Sequence, residues 1–257
     1  MRLDERVVEL GLEPTRSRAR ARILAGDVRL GDEVLDKAGT LVAADAALTM
    51  AARPRFVSRG GEKLAGALDA FAIDPAGLRC ADVGASTGGF TDCLLQRGAV
   101  SVLALDVGYG QLALSLREDP RVALRERTNV RHFEPGPEER GFDLVTADLS
   151  FISLRKVLAR LAALARPGGQ LLLLVKPQFE LERDAVGSGG VVRDPAERAR
   201  AVRLVSEVAA ELRLAVRGEA ESVLPGPSGN WERFLWLQCP ALTSDELPEQ
   251  GDAPGAR

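Results

Sequence analysis

Leu78-Arg79-Cys80-Ala81-Asp82-Val83-Gly84-Ala85-Ser86-Thr87-Gly88-Gly89-Phe90-Thr91-Asp92-Cys93-Leu94-Leu95 is the stretch on which the reading of this chain turns. Its first, mostly apolar residues fit a short buried strand with Asp82 at its end. Gly84, Gly88 and Gly89 then permit a tight turn and a close approach of backbone to a ligand. The residues from Gly89 to Arg97 fit a helix whose free N–H groups face whatever sits at the turn. The spacing is G-x-x-x-G-G, not the G-x-G-x-x-G of dinucleotide-binding loops, so a nicotinamide cofactor fits poorly. Any glycine-containing strand-to-helix turn also fits, and the turn alone leaves both readings open.

From Leu78 onward strand and helix patterns alternate, which predicts an α/β fold with a parallel sheet covered on both faces. Further strands are predicted at Val100–Val107, Val122–Leu124, Asp143–Ala147 and Gln170–Val175. Ser153 is predicted to cap a helix running to Ala165. Asp194 and Pro195 suit the N-cap and first position of a helix reaching Leu212. Strands at Ala215–Val223 and Arg233–Gln238 flank a short loop, so the final strand is predicted antiparallel. Ligands bind open parallel sheets at the carboxyl ends of strands. Asp82, Asp106, Asp148 and Lys176 are all predicted at that edge. A carboxylate at Asp106 can accept both ribose hydroxyls of an adenosine cofactor. With an acid just ahead of G-x-x-x-G-G, that suits S-adenosylmethionine better than NAD. Hydride transfer has no use for a lysine–carboxylate pair at strands four and five. A hydroxyl that loses its proton as a methyl arrives does.

Hydrophobic content of 46% and 28% charged residues fit a globular protein of one large or two smaller domains. The net charge of −3 gives no global basic field, so any nucleic-acid site must be a local patch. Cys80, Cys93 and Cys239 are isolated, no C-x-x-C occurs, and His132 is the only histidine, which argues against zinc and for a reducing cytoplasm. No charged region followed by an apolar run opens the chain, and the apolar run Leu171–Val175 is too short to span a bilayer. Of 34 basic residues only Lys37, Lys63, Lys156 and Lys176 are lysine. Lysine can lose its proton where arginine cannot, so these positions invite a chemical explanation.

Residues 1–52 read as a separate unit: a helix with Leu3, Val7, Val8 and Leu10 inward, a second from Arg16 to Ala25 capped by Thr15, and strands near Val28–Leu30, Glu33–Leu35 and Ala47–Ala51. Arg16 and Arg20 share one helix face, and Arg18 and Arg22 another. A solvated basic helix is the plain explanation. However, Arg2-Leu3-Asp4, Thr15-Arg16-Ser17-Arg18-Ala19-Arg20 and Ala25-Gly26-Asp27-Val28-Arg29-Leu30-Gly31-Asp32 resemble the S4 RNA-binding domain, in which such arginines meet phosphate. Pro54 and Gly60-Gly61 mark a basic linker. Glu62–Phe71 follows as an amphipathic helix with Lys63 in its first turn, where a cation opposes the helix dipole. A solvated lysine is the alternative there.

Ser58-Arg59-Gly60-Gly61-Glu62-Lys63-Leu64, Asp82 through Thr91, Asp148-Leu149-Ser150-Phe151-Ile152-Ser153, Lys176-Pro177-Gln178-Phe179-Glu180 and Pro225-Gly226-Pro227-Ser228-Gly229-Asn230-Trp231-Glu232 resemble, in order, the TlyA family of ribosomal-RNA 2′-O-methyltransferases. The resemblance implies a Rossmann-like S-adenosylmethionine-dependent methyltransferase with a mostly parallel seven-stranded sheet, last strand antiparallel, preceded by a small α+β S4 domain. The expected boundaries are 1–52 for S4, 53–61 for the linker, 62–240 for the FtsJ-like domain and 241–257 for a disordered tail. A Lys-Asp-Lys-Glu tetrad then falls on Lys63, Asp148, Lys176 and Glu232. In this scheme Lys176 receives or polarises the proton of a ribose 2′-hydroxyl, Asp148 and Glu232 orient Lys176, and Lys63 holds the acceptor.

By the same resemblance, cofactor contacts fall on Asp82, Gly84, Ala85, Ser86, Gly88, Gly89, Phe90, Asp106, Val107, Asn129 and Asp148, although Asn129 equally fits a structural turn. RNA contacts fall on Arg2, Arg16, Arg18, Arg20, Arg22 and Arg59. The implied substrate is a cytidine in ribosomal RNA, large subunit favoured, the implied partner that RNA or a ribosomal subunit, with no metal, no membrane and a monomeric state. Phe56 stands where relatives often carry tryptophan, and the tail lacks the terminal helical segment of longer members. Trp231 fits base stacking or ordinary packing, and His132 a surface position. The competing classes are a non-catalytic assembly factor and a membrane-active hemolysin, a label long attached to this family.

Overall fold

A computed structural model describes residues 1–52 and 54–241, so the expected tail lies, beyond Ala241, outside the described residues. Contacts divide the chain into two units, Met1–Pro54 and Arg55 onward. In the first, helices α1 (Leu3–Glu9) and α2 (Arg16–Leu24) accompany an antiparallel sheet of β1 (Val28–Leu30), β2 (Glu33–Val34) and β3 (Leu48–Met50), ordered β2-β1-β3. Thr15 caps α2, its hydroxyl accepting from the Arg18 N–H at 3.3 Å. Leu3, Val7, Ala19, Ile23 and Val28 are fully buried between the layers.

The second unit opens with α3 (Arg59–Ala70), then β4 (Arg79–Val83), α4 (Gly89–Gln96), β5 (Ser101–Leu105), α5 (Leu114–Arg117) and β6 (Val122–Arg125). It continues with β7 (Phe142–Ala147), α6 (Leu158–Ala162), β8 (Ala165–Val175), α7 (Pro177–Glu180), α8 (Pro195–Glu211), β9 (Ala215–Glu221) and β10 (Arg233–Gln238). Among the described residues seven strands form one sheet, β6-β5-β4-β7-β8-β10-β9. β4, β5, β6, β7 and β8 pair in parallel, and β10 runs antiparallel to both β8 and β9. Successive side chains leave a strand on opposite faces, and the burial follows. Val83, Leu105, Val145, Leu171 and Leu173 pack with α6 and α8, while Cys80, Val102, Leu144, Leu172 and Leu174 pack with α3, α4 and α5. Coverage on both faces explains the unbroken apolar run of β8.

Five sequence expectations need correction. Gly60 and Gly61 belong to α3, not to a linker; a side chain on Gly61 would sit 2.2 Å from the buried Phe56 ring, so the glycine serves close packing. Lys63 consequently lies past the first turn, and the dipole argument does not apply to it. The helix expected from Ser153 to Ala165 shrinks to a 3-10 turn, Leu154–Lys156, and the short α6. β8 instead starts at Ala165 and runs through Pro167-Gly168-Gly169, held by Gly168 N–H to the Pro240 carbonyl and Cys239 N–H to the Gly169 carbonyl. Finally, Asp82 is the penultimate residue of β4, and its side chain is fully buried.

Candidate active site

Strand order reverses between β4 and β7, and that is where an open sheet leaves a crevice. Gly84, at φ +88°, closes β4 there; a Cβ on it would stand 2.5 Å from the carbonyl oxygen of Asp148, so only glycine lets the two loops meet. Next to this contact lies a cavity of about 360 Å³, lined by the turn after β4 (Gly84 to Thr87, Gly89, Phe90), the start of α3 (Arg59, Gly60, Lys63) and the loops bearing Asp148, Ser150 and Lys176. That volume suits a small-molecule site.

Three of the four tetrad side chains reach this cavity, and the fourth lies directly behind. Lys176, on the residue after β8, places its Nζ 2.5 Å from Asp148 Oδ1, on the residue after β7. The contact is an ion pair; the well-aligned hydrogen bond of Lys176 goes to the Ser150 hydroxyl at 2.9 Å. Lys63 Nζ donates to Glu232 Oε2 at 2.5 Å, and both are almost wholly buried. Glu232 therefore serves Lys63 and not Lys176, contrary to the expectation. The turn 225–230 presses onto that carboxylate: a Cβ on Gly226 would come 2.7 Å from Glu232 Oε1.

The expected cofactor set divides. Gly84, Ala85, Ser86, Gly89, Phe90 and Asp148 line the cavity. Asp106 stands behind Ser86, its oxygens accepting the Ser86 N–H at 2.8 Å and the Gly108 N–H at 2.6 Å, each with a lone pair to spare. Gly88 is a packing glycine, since a Cβ there would meet Leu116 at 2.3 Å. Val107 is exposed. Asn129 caps a 3-10 turn by accepting the Arg131 N–H at 3.0 Å, which is the structural alternative. An adenosyl amino acid fits this set: a half-buried carboxylate for vicinal hydroxyls, an apolar wall at Ala85 and Phe90, and the N-terminus of α4 for a carboxylate. Ser58, Ser150 and Pro227 also line the cavity and were legible only as parts of longer motifs.

Asp82 supports the turn from beneath. Its Oδ2 accepts the backbone N–H and the hydroxyl of Thr91 at 2.9 and 2.7 Å, while Oδ1 has no hydrogen-bond partner among the described residues. Burial pushes its carboxyl up to about 7; the Thr91 bonds oppose this and the neighbouring carboxylates of Asp148 and Asp106 add to it. Between about pH 4 and 7 the unfolded chain sheds this proton while the folded chain keeps it. Its contribution to stability therefore falls as pH rises through that window and levels off above it. Asp82→Asn should flatten that part of a urea-unfolding stability profile; a variant with the wild-type slope would contradict the assignment.

In the first unit, fully buried Asp4 gathers three guanidiniums: Arg2 Nε at 3.1 Å, Arg16 Nη2 at 3.1 Å and Arg20 Nε at 2.9 Å. Burial alone would raise its pKa, but the hydrogen bonds from Arg20, Arg2 and Arg16 hold it well below the usual carboxylate range. The three arginines stay about half exposed, and Arg18 is exposed beside them. Arg22 departs from the set. Only 15% exposed, it pairs with Asp27 at 2.7 Å and donates to the Ala51 carbonyl, so it belongs to the fold. Arg59, in the second unit, is exposed at the cavity wall and donates to the Pro225 carbonyl at 3.1 Å.

Among the described residues no cluster of His, Cys, Asp or Glu is arranged to hold a metal ion, and no helix is long and apolar enough to cross a membrane. The family model described as FtsJ-like methyltransferase matches residues 56–239, and the S4 domain model matches 1–47. The chain is 52% identical over 239 residues to the 16S/23S rRNA (cytidine-2′-O)-methyltransferase TlyA of Mycobacterium tuberculosis, covering 92% of this chain and 89% of that one. It is 36% identical to the 23S rRNA (cytidine-2′-O)-methyltransferase TlyA of Campylobacter jejuni, over 70% of each. A solved structure described as a candidate hemolysin from Streptococcus thermophilus superposes with a TM-score of 0.72 at 38% identity, covering 93% of this chain and 88% of that one. With the crevice, the two ion pairs and these matches in agreement, the chain belongs to the FtsJ-like methyltransferase family and carries an S4 domain at its N-terminal end.

Proposed function

We propose that this chain is an S-adenosylmethionine-dependent ribose 2′-O-methyltransferase acting on a cytidine of ribosomal RNA. The observation that carries the reading is the meeting of Lys63, Asp148 and Lys176 at one cavity, with Glu232 paired to Lys63. When bound, S-adenosylmethionine supplies an electrophilic methyl group on a sulfonium. Ala85, Ser86, Phe90 and Asp106 would hold its adenosyl part, and the backbone of the Gly84–Gly89 turn would face the rest.

Lys176 contacts the 2′-hydroxyl and orients a lone pair on its oxygen. On methylation the new O–C bond would form as the methyl–sulfur bond breaks, and the proton of the breaking O–H bond would pass to the Lys176–Asp148 pair. An ammonium already paired with a carboxylate takes up that proton only by handing one on, so Asp148 is the sink. Lys63, with its charge balanced by Glu232, holds a ribose or phosphate oxygen of the acceptor nucleotide. Much of the rate comes from this fixed orientation. In the S4 unit, Arg2, Arg16, Arg18 and Arg20 outnumber the acids around them and position RNA through its phosphates without reading its bases. Cytidine is the nucleoside in the names of both relatives, and 23S rRNA is the substrate those names share, which supports the large subunit. The cytoplasm, where ribosomes mature, is the proposed place of action.

The test is to map ribose methylation on both ribosomal RNAs from cells with and without this gene. At least one cytidine, in large-subunit RNA on this reading, should lose its 2′-O-methyl group. Identical maps would remove the proposal.

A further inference from the structure

Asp148 and Lys176 must keep their relative position, yet both lie beyond the sheet. The last rung between β7 and β8 pairs Ala147 with Leu173; the Asp148 N–H still donates to the Val83 carbonyl of β4 at 3.0 Å, but among the described residues no ladder bond joins the Asp148 loop to the Lys176 segment. Past that point a buried carboxylate takes over. Glu180, 2% exposed, ends α7, the short helix that starts just after Lys176. Its Oε1 accepts the Leu154 N–H at 2.7 Å, and its Oε2 accepts the Ser153 hydroxyl at 2.5 Å and Arg155 Nε at 3.4 Å. Arg155 Nη2 also donates to the Glu180 carbonyl at 2.8 Å. Every one of these donors comes from the segment that follows Asp148.

That segment is folded under constraint. Phe151 adopts φ +63°, a left-handed conformation that a phenylalanine keeps only where its surroundings impose it. A buried carboxylate is costly unless its lone pairs are filled, and an apolar side chain would pack the same space more cheaply. The arrangement makes sense if geometry is what Glu180 provides. We propose that Glu180 is a positioning residue for methyl transfer: it clamps the 148–154 loop to the 176–180 segment and so fixes the contact between Lys176 and Asp148. The proposal rests on the ribose methyltransferase reading for its consequence, but the clamp itself can be measured without activity.

Full-length chains carrying Glu180→Ala, Glu180→Gln or Ser153→Ala are compared with wild type by amide hydrogen exchange and by methyl transfer to ribosomal subunits. Glu180→Ala should speed exchange about tenfold or more across 149–156 and 176–181 together. It should lower kcat by roughly 30- to 100-fold, as a misplacement near 1 Å does, with cofactor affinity and the KM for RNA within about threefold of wild type. Glu180→Gln retains an acceptor for the Leu154 N–H and should recover both readouts to within about fivefold. Ser153→Ala removes one bond and should fall between the two; with the Gln variant it decides the matter if Glu180→Ala does not fold.

Unchanged loop exchange in Glu180→Ala overturns the proposal. So does a kcat that falls only in step with cofactor affinity or thermal stability, or a Gln variant as impaired as Ala. If wild type transfers no methyl at all, the methyltransferase reading fails, while the exchange arm still decides whether Glu180 joins the two loops.

Discussion

Lys176→Ala should lower methyl transfer to ribosomal RNA by about 10³-fold, within the range typical of a displaced proton-transfer group. That is about 4 kcal/mol of transition-state stabilisation. The loss should appear in kcat, with the KM for RNA and the affinity for cofactor changed only a few-fold, because the interaction is made with a proton that moves during the reaction. Lys176→Arg separates two roles. Arginine keeps the charge beside Asp148 but cannot hand on a proton. If Lys176 relays the proton, Arg should rescue no more than about tenfold over Ala; if it only stabilises charge, Arg should recover most of the loss. Single-turnover transfer on ribosomal subunits, with cofactor affinity measured in parallel, gives the answer. Turnover near wild type in Lys176→Ala would remove this residue from the chemistry.

How much of this was legible before the structure depends on what carries the signal. The parallel sheet and its antiparallel last strand follow from apolar periodicity and a short final loop, and both were readable. So was the edge bearing Asp106, Asp148 and Lys176, because residues after parallel strands have nowhere else to go. The start of α3 was not, because Gly60 and Gly61 look like a break until Phe56 is seen to need the space. Nor was the extension of β8 through Pro167-Gly168-Gly169, which depends on partners some seventy residues away, at Cys239 and Pro240. Which carboxylate served which lysine was equally hidden. The family resemblance implied that four groups meet, not that Glu232 faces Lys63. Asp4 and Arg22 teach the same lesson in the first unit: a run of arginines shows its charge in sequence, while burial decides which of them remain available to a partner.

Glu232→Ala should destabilise the methyltransferase unit by about 3–5 kcal/mol, since it strands the Lys63 ammonium, 6% exposed, without a counter-charge. For a unit of this size that is a fall in Tm of roughly 10 °C. Lys63→Met should cost about as much by the converse argument. Paired replacement, Lys63→Met with Glu232→Leu, removes both charges and keeps similar volume, so most of the stability should return. Activity should not return with it. The more exposed Lys176–Asp148 pair, at 11% and 25%, should cost less stability when broken, which distinguishes a burial effect from a general loss of ion pairs. The double-mutant cycle thus separates two reasons for burying a charged pair at all. An apolar pair would serve the fold at least as well, so if the paired variant is stable and inactive, Lys63 and Glu232 are retained for what Lys63 does at the cavity. A paired variant that regains wild-type transfer along with its stability would reduce the contact to packing and take Lys63 and Glu232 out of the proposed mechanism.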